Sequence, residues 1–156
     1  MISSQVVSPS LKQTFVFGVP VHLCRNYGDW LQARLESGEG GHVVTLNSEI
    51  VMLAEKNADL AAAIQQADLV IPDGAGVTLY LRLEGVKQSR CPGIELAADL
   101  IHRVAQRPEP RAIAFYGGAP GVTALAAQNW QRHYPNLEIL TCHGFIDETE
   151  AAAWCQ

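Results

Sequence analysis

The sequence predicts an α/β fold: a Rossmann-like parallel sheet with helices on both faces, truncated at its C-terminus. Two observations carry this. Short runs of strand character alternate with longer stretches of helical spacing, as in sheets whose crossovers are helices. The strand runs are mostly apolar instead of alternating with polar residues, as in strands covered on both faces. The 156 residues fit one compact domain, taken as 1–156.

The first dozen residues read as a loose polar arm. Residues 14–19 (TFVFGV) are aromatic and β-branched, a strand signal. Residues 29–37 carry Trp30, Leu31, Ala33 and Leu35 at helical spacing and stop at Gly38. After Gly40-Gly41, residues 42–45 (HVVT) form a short buried strand. Asn47 or Ser48 caps a helix carrying Ile50, Val51, Leu53 and Ala54, and residues 59–67 add an alanine-rich helix. Residues 69–72 (LVIP) are an apolar strand, Asp73-Gly74 breaks it, and helix resumes over 75–83. A loop over 85–92 leads to an amphipathic helix over 94–106, with Leu96, Leu100, Ile101 and Val104 on one face. The pattern then repeats as a strand at 112–116, a Gly117-Gly118 turn, and a helix over 120–133 with Pro120 near its first turn. A strand follows at 137–141, with a break at Gly144. Asp147 and Glu150 have capping-box spacing and announce a last helix.

Composition excludes several classes of function. Eleven Lys and Arg against sixteen Asp and Glu give a net charge of −5, which supplies neither a nucleic-acid face nor attraction to anionic lipid. Cys24, Cys91, Cys142 and Cys155 form no CxxC pair, so zinc spacing is absent and reduced thiols in a cytoplasmic protein are expected. No apolar stretch has signal-peptide or membrane-span length. His22, His42, His102, His133 and His143 show no metal-ligand spacing. GxSxG, Walker A and DxD motifs are also absent. No metal and no cofactor is expected.

Parallel α/β sheets bind ligands beyond the carboxyl ends of their strands. Three such places hold unusual residues. Asp73, followed by Gly74 and Gly76, reads either as a general base toward a hydroxyl or as a helix N-cap. Thr45 and Asn47 are two apart in an extended segment and share one side. Together they can hold sugar hydroxyls or an N-acetyl group, or Asn47 simply starts the next helix. Gly117, Gly118 and Gly121 form a GGxxG loop that either presents N–H groups to a phosphate or makes a tight turn. Arg90, in the loop SRCPG, is a diphosphate partner or a solvated side chain.

The order of these signals resembles the WecG/TagA/CpsF family of bacterial glycosyltransferases. The resemblance rests on Thr45-Leu46-Asn47, Ala67-Asp68-Leu69 and Pro72-Asp73-Gly74-Ala75-Gly76-Val77. It continues through Arg90 with Gly93-Ile94-Glu95-Leu96, then Gly117-Gly118 with Gly121-Val122, and Tyr134-Pro135 with Leu137. It covers roughly residues 17–145. It implies an inverting, metal-independent transfer of an N-acetylhexosamine, typically N-acetylmannosamine, from UDP to a polyprenyl-diphosphate-linked sugar. Such transfers feed teichoic acid or other surface polysaccharides. It further implies Asp73 as the base, Thr45, Asn47 and Gly74 in the same pocket, Arg90 on the diphosphate, and Gly117 and Gly118 beside the nucleotide.

The chain departs from the family pattern by ending before a further strand, a G-x-P-x-Q-E segment and a basic C-terminal appendage. Peripheral contact with the inner face of the plasma membrane is expected only through that missing part. Homo-oligomers are also expected. A missing strand would leave an apolar sheet edge, so a chain less stable than a complete member, or one that binds a nucleotide sugar without catalysis, is the alternative expectation.

Overall fold

The computed structural model describes residues 11–109 and 111–154. The elements among them are β1 (Lys12–Val16), β2 (Val19–Leu23), α1 (Tyr27–Ser37), β3 (Val43–Leu46), α2 (Ser48–Lys56), α3 (Ala58–Gln65), β4 (Leu69–Pro72), α4 (Ala75–Leu83), α5 (Gly93–Ala105), β5 (Ile113–Tyr116), α6 (Val122–His133), β6 (Ile139–Cys142) and α7 (Glu148–Trp154). The chain divides into two compact units, Met1–Leu100 and Ile101–Gln156.

The fold is mixed α/β. The expected single Rossmann-like parallel sheet is not what the described residues form. They form three two-stranded sheets: β1–β2 is antiparallel, while β3–β4 and β5–β6 are parallel. The first difference has a local cause. Residues 14–19, expected as one strand, fold back on themselves because Phe17 (φ 49°) and Gly18 (φ 79°) are consecutively left-handed. That is the backbone of a two-residue hairpin turn. The expected loose arm gives way to β1 at Lys12, and residues 1–10 lie outside the described part.

In the first unit, β4 is the centre. All four of its residues are buried. Val70 joins one core cluster with Leu46, Ile64, Val77, Leu81 and the hairpin residues Val16 and Val21. Leu69 and Ile71 join a second cluster with Tyr27, Trp30 and Leu96. Alternate side chains thus enter opposite cores, as a strand covered on both faces requires. His22 of β2 reaches β4 with a side chain: its Nδ1 accepts from the Val70 N–H at 2.9 Å. Burial lowers the His22 pKa, which favours the neutral ring that this bond needs.

Asparagine side chains start three helices. Asn26, Asn47 and Asn57 accept from the N–H groups of Asp29, Ile50 and Leu60. Gly38, at φ 73°, ends α1 as its sequence predicts. The loop over 85–92 and the start of α5 fall where expected.

In the second unit, β5 and β6 contain no fully buried residue, whereas Ala127 of α6 and Leu137 are buried. Helix α6 starts later than predicted, at Val122. Gly121 is left-handed (φ 89°), which leaves Pro120 outside the helix. Helix α7 is capped as its spacing announces, with Asp147 Oδ1 accepting from the Glu150 N–H at 2.8 Å.

Candidate functional site

Strands β3 and β4 end in register, Leu46 opposite Pro72. The Leu46 carbonyl accepts from both the Asp73 N–H (2.9 Å) and the Gly74 N–H (3.2 Å). These bonds pin the chain leaving β4 against the end of β3 and fix Asp73 at the mouth of the pair. The helix-cap alternative for Asp73 fails here. The N-cap of α4 is Gly74, which has no side-chain cap bond, and Asp73 precedes it. Among the described residues, the Asp73 carboxylate meets only Arg90, whose Nη2 lies 3.6 Å from Oδ1. Arg90 Nε also donates to the Asp73 backbone carbonyl.

The loop carrying Arg90 is tethered to β4 by the Cys91 N–H, which donates to the Pro72 carbonyl at 2.9 Å. The Arg90 side chain remains 54% exposed, against 24% for Asp73. An ion pair this open contributes little to stability, about 0–1 kcal/mol. The guanidinium is therefore placed beside the carboxylate while still open to an anion. Burial raises the Cys91 pKa, and the charges of Asp73 and Glu95 raise it further. It remains a thiol, unsuited to act as a nucleophile.

Three glycines close the mouth. A Cβ on Gly74 would lie 3.0 Å from Cα and Cβ of Asn47, one on Gly76 would strike the Ser48 hydroxyl, and one on Gly93 would strike Cγ2 of Thr45. The first turns of α2 and α4 thus meet, and the start of α5 packs on β3. Their N–H groups and positive dipole ends favour negative charge nearby. Glycines at 74 and 76 allow close approach, as their sequence position suggests; that Ser48 is what meets Gly76, and Thr45 what meets Gly93, is not legible in the sequence. Asn47 is a helix cap through Oδ1 (3.0 Å from the Ile50 N–H), and Thr45 is half-buried on β3. The structure therefore brings Thr45, Asn47, Asp73, Gly74 and Arg90 to one place.

Gly117 and Gly118 belong to the second unit. Both have positive φ (119° and 67°), and their turn is bonded to the end of β6 and the segment after it. The Gly117 N–H donates to the Cys142 carbonyl, and the Gly144 N–H to that of Gly118. Glycine is needed here for conformation, and a Cβ on Gly144 would lie 3.2 Å from the Gly117 Cα.

At the opposite end of the β3–β4 pair lies Asp68. Its Oδ2 accepts from the His42 N–H at 2.8 Å, and its Oδ1 pairs with Arg34 at 3.4 Å. The His42 hydrogen bond, and then the Arg34 charge, hold the Asp68 carboxyl below the usual carboxylate range. Arg34 also covers the Trp30 ring at 5.0 Å.

Among the described residues, no group of three or more His, Cys, Asp or Glu side chains can hold a metal ion. None of their helices is long and apolar enough to cross a membrane. Cys24, Cys91 and Cys142 are free thiols; Cys155 lies outside the described residues.

Residues 14–156 match the Glycosyl transferase WecG/TagA/CpsF family. The chain belongs to this family. It is similar to the N-acetylglucosaminyldiphosphoundecaprenol N-acetyl-beta-D-mannosaminyltransferase of Bacillus spizizenii, with 34% identity over 106 residues. That stretch is 67% of this chain and 40% of the relative. The Staphylococcus aureus protein of the same name is 32% identical over 106 residues, 67% of this chain and 41% of that protein. The matched part therefore spans about two fifths of the length of these relatives.

Proposed function

We propose that the chain carries the acceptor-activating part of a glycosyltransferase that moves an N-acetylhexosamine, N-acetylmannosamine in first place, from UDP to a polyprenyl-diphosphate-linked sugar. The observation that carries this reading is Asp73: a strand-end carboxylate that caps no helix among the described residues, with Arg90 beside it. An uncapped carboxylate keeps its lone pairs for a substrate proton. Family membership and the names of the relatives support this substrate class.

In the proposed reaction, Asp73 takes the proton of the acceptor hydroxyl as that oxygen attacks the anomeric carbon. The bond from that carbon to the diphosphate breaks, and UDP leaves with the electron pair. The configuration inverts because attack and departure occur on opposite faces. Asp73 then releases its proton to water. Without a metal, the developing diphosphate charge is met by Arg90 and backbone N–H groups. Thr45, Asn47 and Gly74 border the sugar, and Gly117 and Gly118 are assigned to the nucleotide. On this reading the chain acts at the inner face of the plasma membrane.

The test supplies UDP-N-acetylmannosamine and a lipid-diphosphate-linked N-acetylglucosamine, and follows disaccharide-lipid formation by mass spectrometry. Product formation that is lost in Asp73→Asn supports the reading. UDP binding without transfer points to a non-catalytic nucleotide-sugar-binding chain. Transfer that survives Asp73→Asn removes Asp73 as base.

A further inference from the structure

A cavity of about 680 Å³ opens in the first unit between the tip of the β1–β2 hairpin and helices α2, α3 and α4. Its wall includes Val16, Val19, Val51, Ala54 and Val77, all of them core residues. Two large apolar side chains stand at its rim, Phe17 at 73% exposure and Met52 at 61%. Phe17 is held there by the left-handed hairpin turn and by its ring, 4.6 Å from that of Tyr80. Glu55 and Gln65, the longest polar residues lining it, are exposed. Apolar surface left open beside a site, with polar groups only at the margin, marks a place where something apolar binds.

Two residues lining the cavity are close neighbours in the chain of candidate site residues. Ser48 and Gly76 line it, and they pack so closely that a Cβ on Gly76 would strike the Ser48 hydroxyl. Ser48 follows Asn47 in the chain, and Gly76 follows Gly74 by two. The groove and the Asp73 mouth are therefore two sides of the same pair of helix starts, those of α2 and α4.

We propose that this groove takes the first isoprene units of the acceptor's polyprenyl chain, with the diphosphate-sugar end delivered to Asn47 and Asp73. The inference rests on the acceptor assigned above and adds where its apolar part goes. Such an acceptor reacts at one end and is hydrocarbon at the other. A hydrocarbon leaving the Asp73 mouth through water would forfeit apolar burial that the adjoining groove supplies. Cavities of about 300–1,000 Å³ enclose drug-sized molecules, which means a few isoprene units and not a whole long chain.

The test measures direct binding of two probes, geranylgeranyl monophosphate and isopentenyl monophosphate, by calorimetry below the micelle concentration of the longer one. The proposal expects the longer probe to bind roughly tenfold or more tightly, the gain that burying a few methylenes gives. Met52→Asp and Phe17→Asn should each remove most of that difference. Both positions are exposed, and Asn tolerates the left-handed backbone at 17, so the fold is retained, as circular dichroism checks. Asp73→Asn should leave the difference intact. Equal binding of the two probes, or chain-length dependence that survives both rim variants, overturns the proposal. So does a rim variant that turns a dimer into a monomer in sedimentation without altering lipid binding, because the face would then belong to a second copy. Chain-dependent binding with no sugar transfer by the wild type would sink the proposed function and leave the groove standing.

Discussion

The two ends of the β3–β4 pair carry the same two residue types in opposite states. At the entry end, Asp68 uses both carboxylate oxygens, one on the His42 N–H and one on Arg34, and the arginine is the sheltered partner at 23% exposure. At the exit end, Asp73 touches only Arg90 among the described residues, at 3.6 Å, and the arginine is the open partner at 54%. The four residues of β4 separate the two aspartates, five steps of extended chain or about 16 Å. Both lie in motif segments, so the motif alone does not say which is structural. What separates them is unspent hydrogen-bonding capacity: an aspartate whose acceptors are satisfied holds the fold, and one whose acceptors are open can take a proton.

The sharpest break of this comparison exchanges the two roles. Asp73→Asn should lower the rate of transfer by about 10²–10⁴-fold, the usual worth of a general base, with little change in melting temperature. Asp68→Ala should do the reverse, lowering the melting temperature while the rate stays near wild type. Parallel kinetics and thermal melts read both. An Asp68 variant as inactive as the Asp73 variant, at a temperature where it is folded, would erase the distinction.

Packing at the exit end comes next. Gly93→Ala should destabilise by about 1–3 kcal/mol, because its Cβ would strike the stiff, β-branched Thr45. Thr45→Ser deletes the offending methyl and should recover much of the loss in the double variant. Urea denaturation of the four proteins in the cycle measures this coupling.

The arginines should differ as their aspartates do. Arg34→Ala should cost about 1–2 kcal/mol, since its stem and ring contact are lost together. Arg90→Ala should cost less than about 0.5 kcal/mol in stability and yet weaken UDP binding, as calorimetry would show.

The smallest effect is in acid. The folded-state pKa of Asp68 lies below its ordinary value of 3.8, so the unfolded chain binds more protons between the two. Stability from this group is present above 3.8 and is lost as pH falls through the depressed value. Thermal melts between pH 2 and 6 should show a steeper acid slope for wild type than for Asp68→Asn.

The sequence by itself determined that the helices form, though not where α6 starts, together with the strand at 69–72 and the family. Helix starts and stops are written in local chemistry: Asn26, Asn47 and Asn57 cap through their own side chains, and Gly38 turns left-handed where α1 stops. An all-apolar run such as LVIP has no exposed face to offer, so its burial on both sides was legible too. Tertiary structure alone decided the rest. The hairpin at Phe17-Gly18 depends on two adjacent left-handed residues, and phenylalanine gives no warning of that conformation. Asp73 before a helix is indistinguishable in sequence from an N-cap. The cap position falls to Gly74 because both N–H groups, of Asp73 and Gly74, close on the Leu46 carbonyl of the neighbouring strand. That bond joins residues far apart in the chain, and no local pattern records it. The same holds for Gly76 and Gly93, whose missing side chains matter only because Ser48 and Thr45 come to lie against them.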